Sequence, residues 1–144
     1  MVGSQLPQRG PLSHVRTFDG KPSVGRGVPA SKRLIDLTVC GERFNTASAL
    51  GQQVTGDDGA AIFYPDVLTL ASAGWSEHRD EAAGVPYLLR DGGAGVVSFD
   101  DARSIQQKCS HIVAQGLGGG IVWHLGQDRI GNDRPLLRAA QACR

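Results

Sequence analysis

The chain has 144 residues, a net charge of +1 and 40% hydrophobic residues, which suits one ordinary domain with a real core rather than a disordered chain. So even a charge balance, with no basic stripe, gives no electrostatic case for nucleic acid. No apolar run approaches the ~20 residues of a membrane span, and the stretch MVGSQLPQRGPLSHVRTFDG has no apolar core of a secretory signal.

Residues 1–22 hold Pro7, Pro11 and Pro22 with scattered charge and no period, so a loose N-terminal segment is expected there. Ser23–Ala30 (SVGRGVPA) reads as a short strand closing at Pro29, and Leu34–Cys40 (LIDLTVC) alternates with period two, as a strand does. Residues 41–60, with Gly41, Gly51, Gly56, Gly59, Asp57 and Asp58, read as a long loop. Pro65 suits a helix start, Val67, Leu68, Leu70 and Ala71 continue the helix, and Gly74 ends it. Trp75–Asp80 and Val85–Arg90 are two short strands separated by Glu81-Ala82-Ala83-Gly84, followed by a turn at Asp91-Gly92-Gly93.

The stretch Val96–Leu125 then reads as strand, capped helix, glycine turn and strand. Val96, Val97 and Phe99 are β-prone. Asp100 and Asp101 are N-cap candidates, because an Asp carboxylate accepts from the orphan amides of a first helical turn. Ile105, Cys109, Ile112 and Val113 share one helical face. Gly116 ends that helix, and Gly118-Gly119-Gly120 leads into Ile121-Val122-Trp123, short enough for a buried strand. Read as βαβ, the unit implies a parallel sheet covered by helices, with chemistry at the strand C-termini, where Trp123 lies. Gly126–Arg134 is a polar loop, and Pro135 opens a last helix with Leu136, Leu137, Ala140 and Cys143 on one face. Cys40, Cys109 and Cys143 have no metal-type spacing and are read as small buried hydrophobes. His14, His78, His111 and His124 show no ligand spacing, and strand alternation points His124 away from Trp123.

Four blocks carry a family resemblance. Gly27–Pro29 (GVP), Val85–Asp91 (VPYLLRD), Ser98–Lys108 (SFDDARSIQQK) and Gly116–Asp128 (GLGGGIVWHLGQD) resemble the C-terminal portion of family 18 glycoside hydrolases, the chitinases. The resemblance implies an α/β fold, the C-terminal part of a (β/α)8 TIM barrel with an α+β insertion domain. It makes 23–33 the region of the seventh strand, 34–93 the insertion domain and 94–144 the last β/α units. Helix seven is then Ala102–Gln115, strand eight Gly119–Leu125 and helix eight Pro135–Cys143. A barrel needs about eight strands to close, so the resemblance makes this chain part of a larger fold with open strand edges.

The activity so implied is cleavage of β-1,4-linked N-acetylglucosamine with retention, the substrate's own acetamide acting as nucleophile. It calls for no cofactor and no metal; its partner is chitin or a chito-oligosaccharide, and its setting is extracellular. The acid belongs to a D-x-x-D-x-D-x-E run. Glu42, Glu77 and Glu81 are preceded two residues back by Cys40, Trp75 and Arg79, so that run is absent from this chain. The site residues implied are Trp123 as the floor under a sugar, Arg33 as an arginine just after the seventh strand, and Asp66 as its partner. The family block before that arginine has a tyrosine and a glycine where this chain has Ser31 and Lys32. Asp66 also reads as a charge favourable to a helix N-terminus, Asp100–Asp101 as a helix cap, and Trp75 and Tyr87 as cleft-wall or core aromatics. Two functional classes stand side by side: part of a chitin-hydrolysing enzyme, or a non-catalytic chito-oligosaccharide-binding protein, with an inactive remnant as the third reading.

Overall fold

The computed structural model describes residues 27–54, 58–141 and 143. Among them the element order is a 3-10 turn at Ala30–Lys32, β1 (Leu34–Thr38), β2 (Cys40–Phe44), β3 (Gly59–Phe63), α1 (Tyr64–Ala71), β4 (Trp75–Asp80), β5 (Val85–Arg90), β6 (Val96–Phe99), α2 (Ala102–Ala114), β7 (Gly119–Trp123) and α3 (Pro135–Ala140).

Two sheets form. β1 and β7 pair in parallel, with Leu34 opposite Gly119 and Thr38 opposite Trp123. The other strands make an antiparallel sheet of order β3-β2-β6-β5-β4. The first of these pairings involves Leu34–Thr38 rather than the strand expected over Ser23–Ala30. Residues 23–26 of Ser23–Ala30 lie outside the described residues, and Gly27–Ala30 forms a turn that runs into the 3-10 turn. Pro29 has no amide to give a ladder, and Gly27 sits at φ +69°. The strand that pairs with β7 is Leu34–Thr38, whose apolar-polar alternation was legible but was assigned to the insertion.

The antiparallel sheet brings two more corrections. Strands β2 and β3 occupy both ends of the supposed loop 41–60 and pair with each other, Cys40 opposite Phe63. Strand β6 lies between β2 and β5, so it belongs with the antiparallel unit and does not open a βαβ with β7. The antiparallel unit therefore runs from β2 to β6, and β1 falls outside it.

Local chemistry explains the elements that matched expectation. Asp101 caps α2: its Oδ1 accepts from Ser104 N at 2.7 Å while Ser104 Oγ accepts from Asp101 N at 2.9 Å. Asp100 is buried and paired with Lys108 at 2.5 Å. The β4–β5 hairpin closes through Asp80, whose Oδ1 accepts from Ala82 and Ala83 amides at 3.0 and 3.1 Å.

Of three hydrophobic clusters among the described residues, two hold these layers together. Ile35 and Leu37 of β1 pack on Ile105, Cys109 and Ile112 of α2 and Ala139 of α3. Val67 of α1 packs on Trp75, Leu88, Val97 and Phe99 of the antiparallel sheet, which makes Trp75 a core aromatic; Arg43 lies over its ring at 5.3 Å. The glycine run before Trp123 is a packing requirement. A Cβ on Gly118 would stand 2.4 Å from Ser31 O, and one on Gly120 would stand 2.5 Å from Leu37 Cδ1. Cys109 and Cys143 are joined by a disulfide, not merely buried as hydrophobes, with Cα atoms 4.5 Å apart. Their 34-residue separation hid the pair from spacing arguments; α2 and the segment after α3 bring them together.

The face of the β1–β7 pair turned away from α2 is open. Leu34 is 57% exposed, Ile121 50% and Trp123 62%. Such an apolar face promotes association, so size-exclusion chromatography with light scattering should find the chain above its 15.2 kDa monomer mass; a clean monomer that does not bind a hydrophobic dye contradicts this. Reducing the Cys109–Cys143 bridge should lower stability by about 2–4 kcal/mol, read as a drop in the urea midpoint on adding dithiothreitol; an unchanged midpoint would show that the bridge constrains nothing.

Candidate functional site

The C-terminal ends of β1 and β7 meet where the parallel pair joins the antiparallel unit. Thr38 stands opposite Trp123, and the next amide, Val39 N, donates to Trp123 O at 3.1 Å. Strand alternation puts Asp36, Thr38, Ile121 and Trp123 on the open face. Thr38 Oγ1 donates to Asp36 Oδ2 at 3.2 Å. Trp123 thus presents a largely exposed indole at a strand end, beside a hydroxyl and a carboxylate.

His124 does not point away as alternation predicts. β7 ends at Trp123, so the period-two rule stops there. The Trp123–His124 peptide is cis, and the two rings meet edge-on at 5.9 Å.

The start of α1 closes one side of this corner. Tyr64 N donates to Gln127 O at 2.9 Å, which sets the Tyr64-Pro65-Asp66 turn against the loop that follows Trp123. Asp66 is exposed in the first turn of α1. Burial, followed by the charges of Asp101, Glu77 and Asp128, pushes the Tyr64 phenol above its ordinary value.

Arg33 is not brought to this corner. It precedes β1, its Nε donates to Val28 O at 3.0 Å, and its carbonyl accepts from Gly118 N at 2.8 Å. Five residues of strand separate it from Thr38, about 16 Å at the usual rise. Arg33 and Asp66 therefore do not form the expected pair, because Arg33 sits at the start of β1 rather than at its end.

Beyond Val39 the chain enters β2 with Cys40, Gly41 and Glu42. Cys40 is a free, buried thiol, raised above its ordinary pKa by burial and then by Asp36, Asp100 and Glu42. A Cβ on Gly41 would lie 3.0 Å from Ser98 O and 3.1 Å from Phe99 Cβ, so the position accepts little more than glycine. Tyr87 is half-buried on the antiparallel sheet and stacks on His78 at 5.3 Å, away from Trp123 in sequence and strand order.

Two functional candidates escaped the sequence reading. Gln127 and Asp128 lie in the polar loop Gly126–Arg134, yet are 6% and 0% exposed. Asp128 Oδ2 accepts from Leu136 N at 3.0 Å and Leu137 N at 2.9 Å, the first amides of α3. Only the position of an Asp a few residues before a proline-led helix hinted at this. Among the described residues no cluster of three or more His, Cys, Asp or Glu could hold a metal ion, and no helix is long and apolar enough to cross a membrane.

Comparison with known proteins agrees with this architecture. The family model of Glycosyl hydrolases family 18 matches residues 11–128. Mouse chitotriosidase-1 is 35% identical over 111 residues, covering 72% of this chain and 24% of that protein. The human protein YKL-39, described as a pseudo-chitinase with retained chitooligosaccharide binding properties, superposes with a TM-score of 0.76 at 21% identity over 95% of this chain and 42% of its own. A family 18 N-acetylglucosaminidase from Paenibacillus barengoltzii superposes with a TM-score of 0.68 at 30% identity over 85% of this chain and 37% of its own. The chain thus spans about a quarter of the length of the mouse relative, and its fold is of the α/β, TIM-barrel-like kind these structures share. The chain belongs to glycoside hydrolase family 18.

Proposed function

We propose that this chain is the C-terminal part of a family 18 (β/α)8 barrel with its α+β insertion, and that it holds a chito-oligosaccharide against Trp123 without supplying the acid that cuts it. The observation that carries this reading is the indole of Trp123, 62% exposed at the C-terminal end of β7. An indole face suits the apolar C–H face of a pyranose, and barrel chemistry sits at strand C-termini. In this reading β1 is the seventh strand, β2 to β6 with α1 form the insertion, α2 is the seventh helix, β7 the eighth strand and α3 the eighth helix. The open face of β1 and β7 is then a piece of barrel interior, and its exposed Leu34 and Ile121 would be covered by strands supplied from elsewhere.

Asp66 stays in this reading as a wall residue, because its helix begins beside the loop after Trp123. Arg33 leaves it. With Leu34–Thr38 taken as the seventh strand, Arg33 lies before that strand rather than after it. The disulfide favours an oxidising, extracellular setting, in keeping with chitin as the partner.

The enzymatic reading differs from the binding reading only in the acid. Hydrolysis in the complete enzyme needs a carboxylic acid over the glycosidic oxygen, and no D-x-x-D-x-D-x-E run is present in these 144 residues. The relatives on both sides are instructive: one is named a chitotriosidase, the other a pseudo-chitinase that retains binding.

Chitotriose at millimolar concentration should change the tryptophan fluorescence of the chain, and Trp123→Ala should abolish the change; no change in the parent chain would refute the binding site. The same polypeptide incubated with a chromogenic chito-oligosaccharide should release dye no faster than buffer does, and turnover well above buffer would show that an acid is present after all.

A further inference from the structure

We propose that Gln127 and Asp128 are positioning residues: together they clamp the strand end that carries Trp123 to the first turns of α1 and α3, and so fix the indole relative to Asp66. The affinity consequence rests on the reading of Trp123 as a sugar floor; the geometric consequence does not.

The loop from His124 to Arg134 is exposed at every residue except these two. Burying two polar side chains in an otherwise wet loop carries a desolvation cost unless they are bonded, and both are. His124 N donates to Gln127 Oε1 at 3.4 Å, and Gln127 N donates to His124 O at 3.5 Å, so the side chain and backbone of Gln127 fold the loop back on the residue next to Trp123. The carbonyl of Gln127 accepts from Tyr64 N at 2.9 Å, two residues before Asp66. Asp128 then ties down the other side of the loop. Its Oδ2 takes the amides of Leu136 and Leu137, a role that a side chain at the helix's own N-cap would normally fill; here the N-cap, Arg134, makes no such bond. The second oxygen, Asp128 Oδ1, is buried with no hydrogen-bond partner among the described residues. A carboxylate kept fully buried with half its acceptor capacity unused makes a poor stability device; what it does secure is the path of the loop. The start of α1, distant in sequence, is thereby held at one corner with the end of β7 and the start of α3.

The chain has two tryptophans, and they make the test internal. Trp75 sits in the core of the antiparallel unit, remote from the clamp, and Trp123 sits at its end. In chain labelled with 5-fluorotryptophan, fluorine NMR gives one resonance from each, assigned with Trp123→Phe. Asp128→Ala should displace or broaden the Trp123 resonance and leave that of Trp75 in place. Asp128→Asn, which keeps an oxygen for the Leu136 and Leu137 amides, should move it back toward the parent position. Chitotriose affinity should fall about tenfold in Asp128→Ala, as small misplacements of positioning groups do, and recover in Asp128→Asn. An unmoved Trp123 resonance in Asp128→Ala overturns the proposal, as does an equal displacement of both resonances, which would mark a general loss of structure. Should Asp128→Ala fail to fold, Gln127→Leu decides instead, since it removes only the side-chain bond to His124 N: displacement of the Trp123 resonance alone supports the clamp and no displacement overturns it. If the parent chain does not respond to chitotriose, the sugar reading falls while the fluorine spectra still decide the clamp.

Discussion

The parallel pairing of Leu34–Thr38 with Gly119–Trp123 is the constraint on which the rest of this structure depends. These strands lie at opposite ends of the described chain, and the segment between them must leave β1 and return to β7. The antiparallel unit fills that interval, and α2 makes the return crossing, packing on both strands of the pair. Ordering so long an interval costs chain entropy, though the cost grows slowly with length. The interval offsets it with its own core around Val67, Trp75 and Val97. The approach of the two strands also dictates composition: glycine at 118 and 120, because a side chain at either would collide with Ser31 or Leu37.

That single pairing also builds the functional corner. It brings Trp123 opposite Thr38, and Val39 N donates to Trp123 O. It leaves Arg33 at the opposite end of β1. The exposed indole therefore stands beside Thr38 and the Asp36 carboxylate of β1, next to the loop that bonds to the start of α1. In the proposed reading this corner holds and orients a pyranose ring. Protonation of a leaving oxygen needs an acid in a raised-pKa environment above that floor, and the chain's glutamates do not fall in the run that provides one in the family.

Much of the fold was legible because some elements carry their own local signals. Asp101 with Ser104 announces α2, Tyr64-Pro65 with Gly74 brackets α1, and Asp80 with Gly84 marks the hairpin between β4 and β5. The glycine-led apolar run ending in Trp123 marks β7. What was illegible depended on distant partners. Val96–Phe99 looks the same whether its neighbours are parallel or antiparallel, and only β2 and β5 decide that. Cys40–Phe44 and Gly59–Phe63 hold glycine and charge that read as loop, yet they pair with one another. The Cys109–Cys143 bridge and the burial of Gln127 and Asp128 likewise exist only after α2, α3 and the loop have packed. For the candidate site, the sequence places Trp123 at a strand end, as the structure does. Arg33, expected just after a strand over Ser23–Ala30, instead precedes β1, because β1 is the strand that pairs with β7 and Gly27–Ala30 forms a turn.

The most direct test of the account is a crystal structure of this chain grown with chitotriose. The account predicts a pyranose ring lying flat on the Trp123 indole at the paired ends of β1 and β7, within reach of the start of α1. A structure in which Trp123 is packed beneath protein, or in which the sugar binds elsewhere, would contradict it.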